Sequence, residues 1–297
     1  MTGAVGAGRA DDPVLSVVIP VRNGASTLAA QLDALAAQRF DQPFEVLVCD
    51  NGSTDDTRAV AQSYAGRLPG LAVVDASGRR GVASARNAGA RAARGPVLAF
   101  CDADDVVGPE WVGAMVAASA RAGLVTGVND EMALNDALSR AWVPSSDSNP
   151  LRAHLGFLPF ALGNNMAIRR SLYESIGGSN EDYPRGEDID LGWRAILSGT
   201  ELVVAPDAVV HYRFRRDLGG AVRQMVGSGI SDVLLYRDYR SAGLVARRRS
   251  AVKAWAWIVL HAPQALTSPA WRGRWLRAAG YRVGKLRGSL RYRVFFP

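Results

Sequence analysis

The sequence predicts an α/β fold in which a mostly parallel central sheet is flanked by helices and followed by a basic helical extension. Apolar runs of strand length alternate with helical patterns through the first half of the chain, which is typical of parallel strands covered on both faces. From about residue 218 the pattern is helical almost to the end. The 297 residues are 48% hydrophobic and 21% charged, a composition that excludes disorder as the main state.

The elements of this fold follow one another regularly up to about residue 126. Uninterrupted apolar runs predict four strands, at residues 15–20, 44–49, 71–74 and 97–101. Start signals and helical spacing predict four helices. The first begins at Ser26 or Thr27, the second and third span 55–64 and 82–93, and the fourth begins at Pro109. Beyond these, the sequence predicts a loop-rich insertion at 130–160, a short strand at 164–170, a helix at 187–197 and a strand at 202–205.

Charge divides the chain into two unequal parts. Residues 1–212 carry 17 basic and 25 acidic side chains, whereas residues 213–297 carry 18 and 3. A basic region of this kind favours an anionic partner. We therefore expect a flexible start at residues 1–13, an α/β domain at 14–214 and a basic helical extension at 215–297.

The cysteines and the apolar runs exclude several classes of protein. Cys49 and Cys101 are too few for a disulfide scaffold or a four-cysteine zinc site, and each ends an apolar run like a small buried side chain. The first residues contain no apolar signal core, and no uncharged apolar stretch reaches 18 residues. These features predict a cytoplasmic protein.

Polar residues follow the predicted strands where a parallel sheet would bind a ligand. DNGSTDDT follows the second strand, and DADD follows the fourth, so that Asp102 and Asp104 could both turn toward one Mg²⁺ or Mn²⁺. GVASARNAG opens the helix between them, where Arg86 could reach a phosphate. Each motif also has a structural interpretation: a capped turn, a solvated acidic turn, or a small-residue helix packed on the sheet.

In combination, LSVVIPVRNGASTL, EVLVCDNGSTDDT, GVASARNAGARAARG and VLAFCDADD resemble family 2 of the inverting glycosyltransferases, over about residues 14–212. The resemblance implies the GT-A fold, a nucleotide-diphosphate sugar donor (a UDP-sugar is favoured) and a hydroxyl acceptor. It also implies Mn²⁺ or Mg²⁺ held through Asp104. The donor-binding residues implied in this way are Pro20, Arg22, Asn23, Asp50, Arg79, Arg86, Asp102 and Asp104.

The resemblance continues into the segment GEDIDL. Asp188 matches the position of the family's catalytic base, because the acceptor hydroxyl must lose its proton as it attacks the sugar. Glu187 and Asp190 are the next candidates, and the same acids could simply favour a helix start. His211 matches a histidine that completes the metal site in several relatives, although a histidine after a strand is often structural. One departure is Asn51, where the family often has a second acid.

Other functions remain open at this stage. A nucleotidyltransferase could use similar carboxylates, and the acceptor could be a glycan, a lipid-linked or cell-envelope precursor, or a small molecule. We expect no nucleic-acid partner, because the tryptophans of the basic extension occupy apolar helical faces. The segment at 250–266 predicts an interfacial helix, so residues 247–297 could contact an anionic surface at the inner face of the cell membrane. Alternatively, residues 218–297, which we expect to lie outside the catalytic core, pack on that domain or form a homodimer.

Overall fold

The chain folds around one mixed sheet whose edge collects polar side chains. The computed structural model describes residues 12–68, 70–143, 150–151 and 153–297. Its mostly parallel sheet with helices on both faces confirms the predicted α/β class. The predicted flexible segment at residues 1–13 lies outside the described residues except for its last two positions.

The sheet of the described residues has eight strands: β1 (Ser16–Val21), β2 (Glu45–Asp50), β3 (Leu71–Asp75), β4 (Val97–Cys101), β5 (Val106–Val107), β6 (Leu124–Asp130), β7 (Asn165–Arg169) and β8 (Leu202–His211). They lie in the order β3-β2-β1-β4-β7-β6-β8-β5. β1 pairs in parallel with β2 and β4, β2 with β3, and β6 with β8, whereas β7 and β5 are antiparallel to their neighbours. Because β1, β2 and β4 are parallel, the polar residues that follow them meet at one edge of the sheet.

Helices cover both faces of the sheet and continue past it. They are α1 (Leu28–Ala36), α2 (Thr57–Gln62), α3 (Val82–Ala92), α4 (Trp111–Ser119), α5 (Ala137–Trp142), α6 (Arg170–Ser175), α7 (Glu187–Leu197), α8 (Leu218–Tyr239), α9 (Arg248–Leu260) and α10 (Pro269–Tyr292). Leu32 of α1 and Trp111 of α4 belong to the core on one face, with Ile19 of the sheet. Ala85 of α3 and Leu191 of α7 belong to the core on the other.

The small residues of α3 let this helix approach the sheet closely. A Cβ atom at Gly89 would collide with Val18 of β1 and would lie 2.6 Å from the sulfur of Cys49. Tight packing therefore explains part of the GVASARNAG motif, and it fixes the position of Arg86 on the same helix.

Several boundaries differ from the sequence prediction. β6 was not predicted as a strand, because Gly127 interrupts its pattern: the pairing with β8 shifts register there, and a Cβ atom at Gly127 would collide with the carbonyl oxygen of Ala208. The predicted loop-rich insertion contains α5, the strand expected at 202–205 extends to His211, and the helix expected to open at Pro109 begins two residues later.

The C-terminal helices pack on the α/β domain. Leu235 and Tyr239 of α8 share a buried cluster with Ile189 and Trp193 of α7. The expectation that residues 218–297 lie outside the catalytic core is therefore wrong for α8, which contacts the helix that carries the predicted base. The boundary itself, at residues 214 and 215, stays a prediction.

α8 and α10 cross closely because glycines line the contact. A Cβ atom at Gly284 of α10 would collide with the carbonyl oxygen of Val226, and one at Gly288 would lie 3.0 Å from the Val233 side chain. None of the helices in the described parts of the chain combines the length and apolar character needed to cross a membrane.

Candidate active site

A cavity of about 1070 Å³ opens at the edge where β1 and β4 end. Its walls come from these strand ends, the start of α7, the segment after β8, and one face of α8. The volume is at the upper end of what single small-molecule pockets occupy, so there is room for two substrates. Seven of the sequence-predicted site residues line the cavity: Pro20, Arg22, Asn23, Arg86, Asp102, Asp104 and, from α7, Asp188.

Asn23 connects two of the predicted motifs. Its backbone has a φ of 54°, in the left-handed region that asparagine tolerates better than most residues. Its side-chain oxygen accepts a hydrogen bond from the Thr54 backbone N–H at 2.8 Å, and its own N–H donates to the Ser53 hydroxyl at 2.9 Å. The loop after β1 and the loop after β2 are therefore held together beside the cavity.

Asp50 lies outside the cavity walls and orders the loop behind them. Its carboxylate is buried, accepts a hydrogen bond from the Ser53 backbone N–H at 2.9 Å and pairs with Arg58. Burial alone would raise the pKa of Asp50, but these hydrogen bonds and the Arg58 charge lower it below its usual value. The role of Asp50 in donor binding stays a prediction, and this side chain already has partners.

Asp102 and Asp104 reach the cavity from the end of β4. About a third of each side chain is exposed, 35% and 37% respectively. Burial raises the pKa of Asp102, with the Asp104 charge adding to the effect and Arg86 opposing it. Arg215 lies 3.6 Å from Asp104. Two carboxylates that repel each other at the mouth of a cavity attract cations.

The third acid of this motif, Asp105, has a different environment. It is buried, does not line the cavity, and accepts hydrogen bonds from the Asn164 side chain and the Arg213 backbone N–H, both at 2.8 Å. Burial raises the pKa of Asp105 to about 8. Asp105 therefore holds together β4, the segment before β7 and the segment after β8.

The carboxylates fit a divalent ion that shares its coordination with a diphosphate. Within the described residues, no group of three or more His, Cys, Asp or Glu side chains is arranged to hold a metal. Mg²⁺ commonly takes only one or two carboxylates and completes its shell with phosphate oxygens and water. Asp102 and Asp104 can supply that pair.

His211 does not line the cavity. Its Nδ1 atom pairs with the Asp130 carboxylate at 2.7 Å, and β8 pairs with β5 through this residue. A metal role for His211 stays a prediction that would have to use its other ring nitrogen, Nε2.

The predicted arginines bind protein groups. Arg86 is buried, with one guanidinium nitrogen 2.7 Å from Glu187 and another 2.8 Å from the carbonyl oxygen of Gly163. Arg79 pairs outside the cavity with Asp182, at 2.8 Å. Sequence reasoning missed the arginines that follow β8, although the run YRFRR directly after His211 was a signal. The arginines of the cavity wall besides Arg22 and Arg86 are Arg185, Arg213, Arg215 and Arg216.

Asp188 lies in the cavity wall at the start of α7. One carboxylate oxygen accepts a hydrogen bond from the Gly163 backbone N–H at 3.0 Å, and the other accepts one from the Ile189 N–H at 2.9 Å. Asp190, by contrast, is buried outside the cavity walls, where it binds Arg194 and Tyr239. Asp188 can therefore reach a substrate in the cavity and Asp190 cannot, and the role of Asp188 as the base stays a prediction.

Glu187 faces the cavity with most of its side chain buried. It lies against Arg86. The Arg86 guanidinium also interacts with the charges of Asp102 and Asp188. Burial raises the pKa of Glu187 to about 7, with the Asp188 charge adding to the effect. Because Arg86 is one positive charge among three carboxylates, Glu187 is protonated more easily than an ordinary glutamate.

The fold and the cavity together define an α/β protein that gathers carboxylates and arginines at the edge of its sheet, around space for two substrates. Residues 16–177, more than half of the chain, match the family described as Glycosyl transferase family 2. The chain belongs to this family, which confirms the resemblance found in its motifs.

Curated relatives carry glycosyltransferase names. Validoxylamine A glucosyltransferase of Streptomyces hygroscopicus subsp. jinggangensis is 34% identical over 230 residues, which cover 66% of this chain and 54% of the relative. Pre-mycofactocin glycosyltransferase of Mycobacterium tuberculosis is 28% identical over 260 residues, which cover 83% and 52%. The chain spans about half the length of these relatives.

Solved structures share the fold across nearly the whole chain. Mannosyltransferase PcManGT from Pyrobaculum calidifontis, in complex with GDP-Man and Mn²⁺, has a TM-score of 0.62 at 22% identity and covers 93% of this chain and 87% of its own. S. aureus TarS 1-349 in complex with UDP-GlcNAc has a TM-score of 0.58 at 19% identity and covers 95% and 93%. These similarities support the GT-A type of fold.

Proposed function

We propose that this chain transfers a sugar from a nucleotide-diphosphate donor to a hydroxyl acceptor, with inversion at the anomeric carbon. The observation that carries the proposal is that one cavity brings Asp102 and Asp104 from the sheet edge together with Asp188 from α7. The first pair faces the place for a diphosphate, and the third acid is suited to accept a proton. The reaction needs both functions in the same cavity.

The leaving group requires positive charge on the donor side. Mn²⁺ or Mg²⁺, held through Asp104 with Asp102 beside it, would neutralise the charge that develops on the diphosphate. The arginines after β8 can add to this effect, because Arg213, Arg215 and Arg216 all line the cavity. The PcManGT complex with GDP-Man and Mn²⁺ and the TarS complex with UDP-GlcNAc favour a nucleotide-sugar donor and a divalent ion here as well.

The acceptor is activated on the opposite side of the cavity. As the acceptor oxygen forms its bond to the anomeric carbon, the bond to the diphosphate oxygen breaks and the acceptor proton moves to a carboxylate oxygen of Asp188. The backbone N–H groups of Gly163 and Ile189 hold that carboxylate in position. Attack from the side away from the leaving group produces inversion.

The direct test is donor turnover without a known acceptor. The chain is incubated with UDP- and GDP-sugars, with and without Mn²⁺ or Mg²⁺, and slow release of nucleotide diphosphate is measured. Validoxylamine A, which appears in the name of one relative, is included as an acceptor. Turnover of a nucleoside triphosphate with release of pyrophosphate, and none of any nucleotide sugar, would favour the nucleotidyltransferase alternative and contradict the proposal.

The metal assignment has its own variant. Asp104→Ala removes a carboxylate that is about a third exposed at the cavity, so we expect the fold to survive and metal-dependent UDP binding to be lost. Asp41→Ala, at an exposed position outside the cavity walls, is the matched control. Calorimetric titration of UDP with Mn²⁺ measures both, and wild-type binding by the Asp104 variant would exclude this residue as the ligand.

The basic extension supports peripheral contact with the inner face of the cell membrane. Val252, Trp255, Val259 and Leu260 of α9 are exposed, and residues 239–297 contain 13 basic and no acidic side chains. An amphipathic helix of this kind suits an anionic lipid surface. Flotation with anionic vesicles tests this: binding should weaken with salt and disappear in a Trp255→Ser/Val259→Ser variant. Absence of binding, together with a dimeric mass in solution, would instead assign this face to a second copy of the chain.

A further inference from the structure

One face of α8 forms part of the cavity wall. Met225, Ser228, Ser231 and Asp232 all line the cavity, and their spacing places them on the same side of the helix. Hydroxyl and carboxylate groups on a mostly buried helix face are costly unless they have polar partners. The proposed transfer reaction assigns no role to this face.

Asp232 is the centre of a network made by three separate segments. Its carboxylate is 4% exposed and lies 2.9 Å from Nε2 of His154, and its second oxygen accepts a hydrogen bond from the Tyr281 hydroxyl of α10. His154 and Tyr281 also line the cavity. A buried carboxylate held in this way has a fixed position beside the cavity.

Ser231 gives a second and independent observation. Its hydroxyl is buried and, within the described residues, has no hydrogen-bond partner. It lies beside the start of α7, since a Cβ atom at Gly186 would be 3.6 Å from the Ser231 Cβ. Buried hydroxyl groups nearly always have a partner, so an unpartnered one at the wall of a cavity indicates a place for a ligand group or a water.

We propose that Ser228, Ser231, Asp232 and His154 form the acceptor subsite, and that the acceptor is an uncharged, hydroxyl-rich group such as a sugar. Sugar hydroxyls can donate to a carboxylate or to the second imidazole nitrogen and can accept from a serine, which matches this set of groups. The negative charge of Asp232 disfavours an anionic acceptor. Bound here, the acceptor lies between α8 and α7 and presents one hydroxyl to Asp188.

This inference rests on the proposed function, but binding can be tested without turnover. The chain has three histidines, so the imidazole Cε1–H region of an NMR spectrum contains three side-chain signals, and His154→Gln identifies that of His154. Methyl α-glucoside is titrated in the presence of UDP, and octyl glucoside is titrated in parallel. We expect the His154 signal to shift with a saturable midpoint and the His261 signal to stay in place. No shift with either glucoside would contradict the proposal.

Two variants connect the binding to the network. Asp232→Asn should raise the glucoside midpoint by about 10- to 100-fold, the range for losing a hydrogen bond to a charged group. Asp238→Asn is the matched control on the same helix, because Asp238 also accepts from a tyrosine hydroxyl, that of Tyr183, but does not line the cavity. Ser228→Ala removes only a hydroxyl and tests the subsite if Asp232→Asn fails to fold. An unchanged midpoint in every folded subsite variant would show that the network is only structural.

Kinetics separate this inference from the proposed function. Where glucoside stimulates donor turnover, Asp232→Asn should raise the KM for glucoside, whereas Asp238→Asn, which does not line the cavity, should leave both this KM and acceptor-free donor hydrolysis unchanged. Loss of acceptor-free hydrolysis in Asp232→Asn would instead place this residue on the donor side and overturn the subsite. An absence of hydrolysis in the wild-type chain would contradict the proposed function, whereas the NMR titration would still decide on the subsite. A lower midpoint for octyl than for methyl glucoside would identify a lipid-linked acceptor, and equal midpoints a free one.

Discussion

The two sides of the cavity are built in different ways. On the proposed donor side, Arg22, Asn23, Asp102 and Asp104 lie in two short segments that directly follow β1 and β4, so each segment forms a motif that can be recognised in the sequence. On the acceptor side, His154, Asp232 and Tyr281 come from three segments that are far apart in the sequence. The comparison shows why motifs reveal one half of such a site and leave the other half unseen.

The two sides are also stabilised by different forces. Buried charge holds the donor side together, since Arg86 contacts both Asp102 and Glu187. Close packing of small residues holds the acceptor side, where glycines of α10 face α8. Loss of the Arg86 charge should therefore affect the first side, and added volume between α8 and α10 the second.

The largest expected effect is at Asp188, where the two sides meet. Asp188→Asn keeps the shape of the side chain but removes its capacity to accept a proton. Transfer should fall by about 10²- to 10⁴-fold, while binding of UDP with metal should persist. Steady-state turnover and UDP titration measure the two quantities. Near-normal turnover would show that Asp188 is not the base and would leave Glu187 as the candidate. Asp190 is excluded, because it lies outside the cavity wall and is bound by Arg194 and Tyr239.

The next effect tests the charge network of the donor side. Above about pH 7, where Glu187 is ionised, Arg86→Met leaves its buried carboxylate without a cation, so the free energy of unfolding should fall by about 3–5 kcal/mol. Arg79→Met is the control, because Arg79 and its partner Asp182 are largely exposed and such pairs contribute about 0–1 kcal/mol. Urea unfolding measures both. Equal losses in the two variants would show that the network does not hold this side of the cavity together.

The class of fold and the position of Asp102 and Asp104 beside the cavity could be predicted from the sequence for physical reasons that are local. Continuous apolar runs identified the parallel strands, and DADD placed its acids directly after one of them. Asp105 shows the limit even there: it shares the motif with Asp104, yet it is buried beside Asn164, 59 residues away in the sequence. Which of the three acids is buried depends on how the strands pack around them. The motif itself contains no information about that packing.

The remaining differences come from long-range contacts. Arg86 was expected to bind the donor, but Glu187, 101 residues away in the sequence, lies against it. The helical pattern of α8 was recognised, whereas the face that it turns to the cavity depends on how α7 and α10 pack against it. A single sequence contains the pattern of each helix and no direct record of its partners.

The third prediction concerns pH and the donor side. The folded chain keeps a proton on Glu187 up to about pH 7, whereas the unfolded chain releases it near 4.5. Between these values the folded state binds more protons, so the stability contributed at this position falls as the pH rises from about 4.5 to about 7. Relative to Glu187→Gln, the wild type should lose up to about 3 kcal/mol across this window. Urea unfolding at several pH values measures the difference, and parallel profiles would exclude Glu187 as the titrating group.

The smallest effect should come from volume alone, on the acceptor side. Gly284→Ala places a methyl group against the carbonyl oxygen of Val226, so α8 and α10 must separate or shift. Overpacking of this kind costs about 1–3 kcal/mol, and the displacement should reach Tyr281 and the Asp232 network one turn away. We expect UDP binding to persist while the glucoside midpoint rises. Gly66→Ala, which meets no atom within 4 Å, is the control. If Gly284→Ala weakened UDP and glucoside binding equally, the two sides of the cavity would be one cooperative unit, and the contrast between charge and packing would not hold.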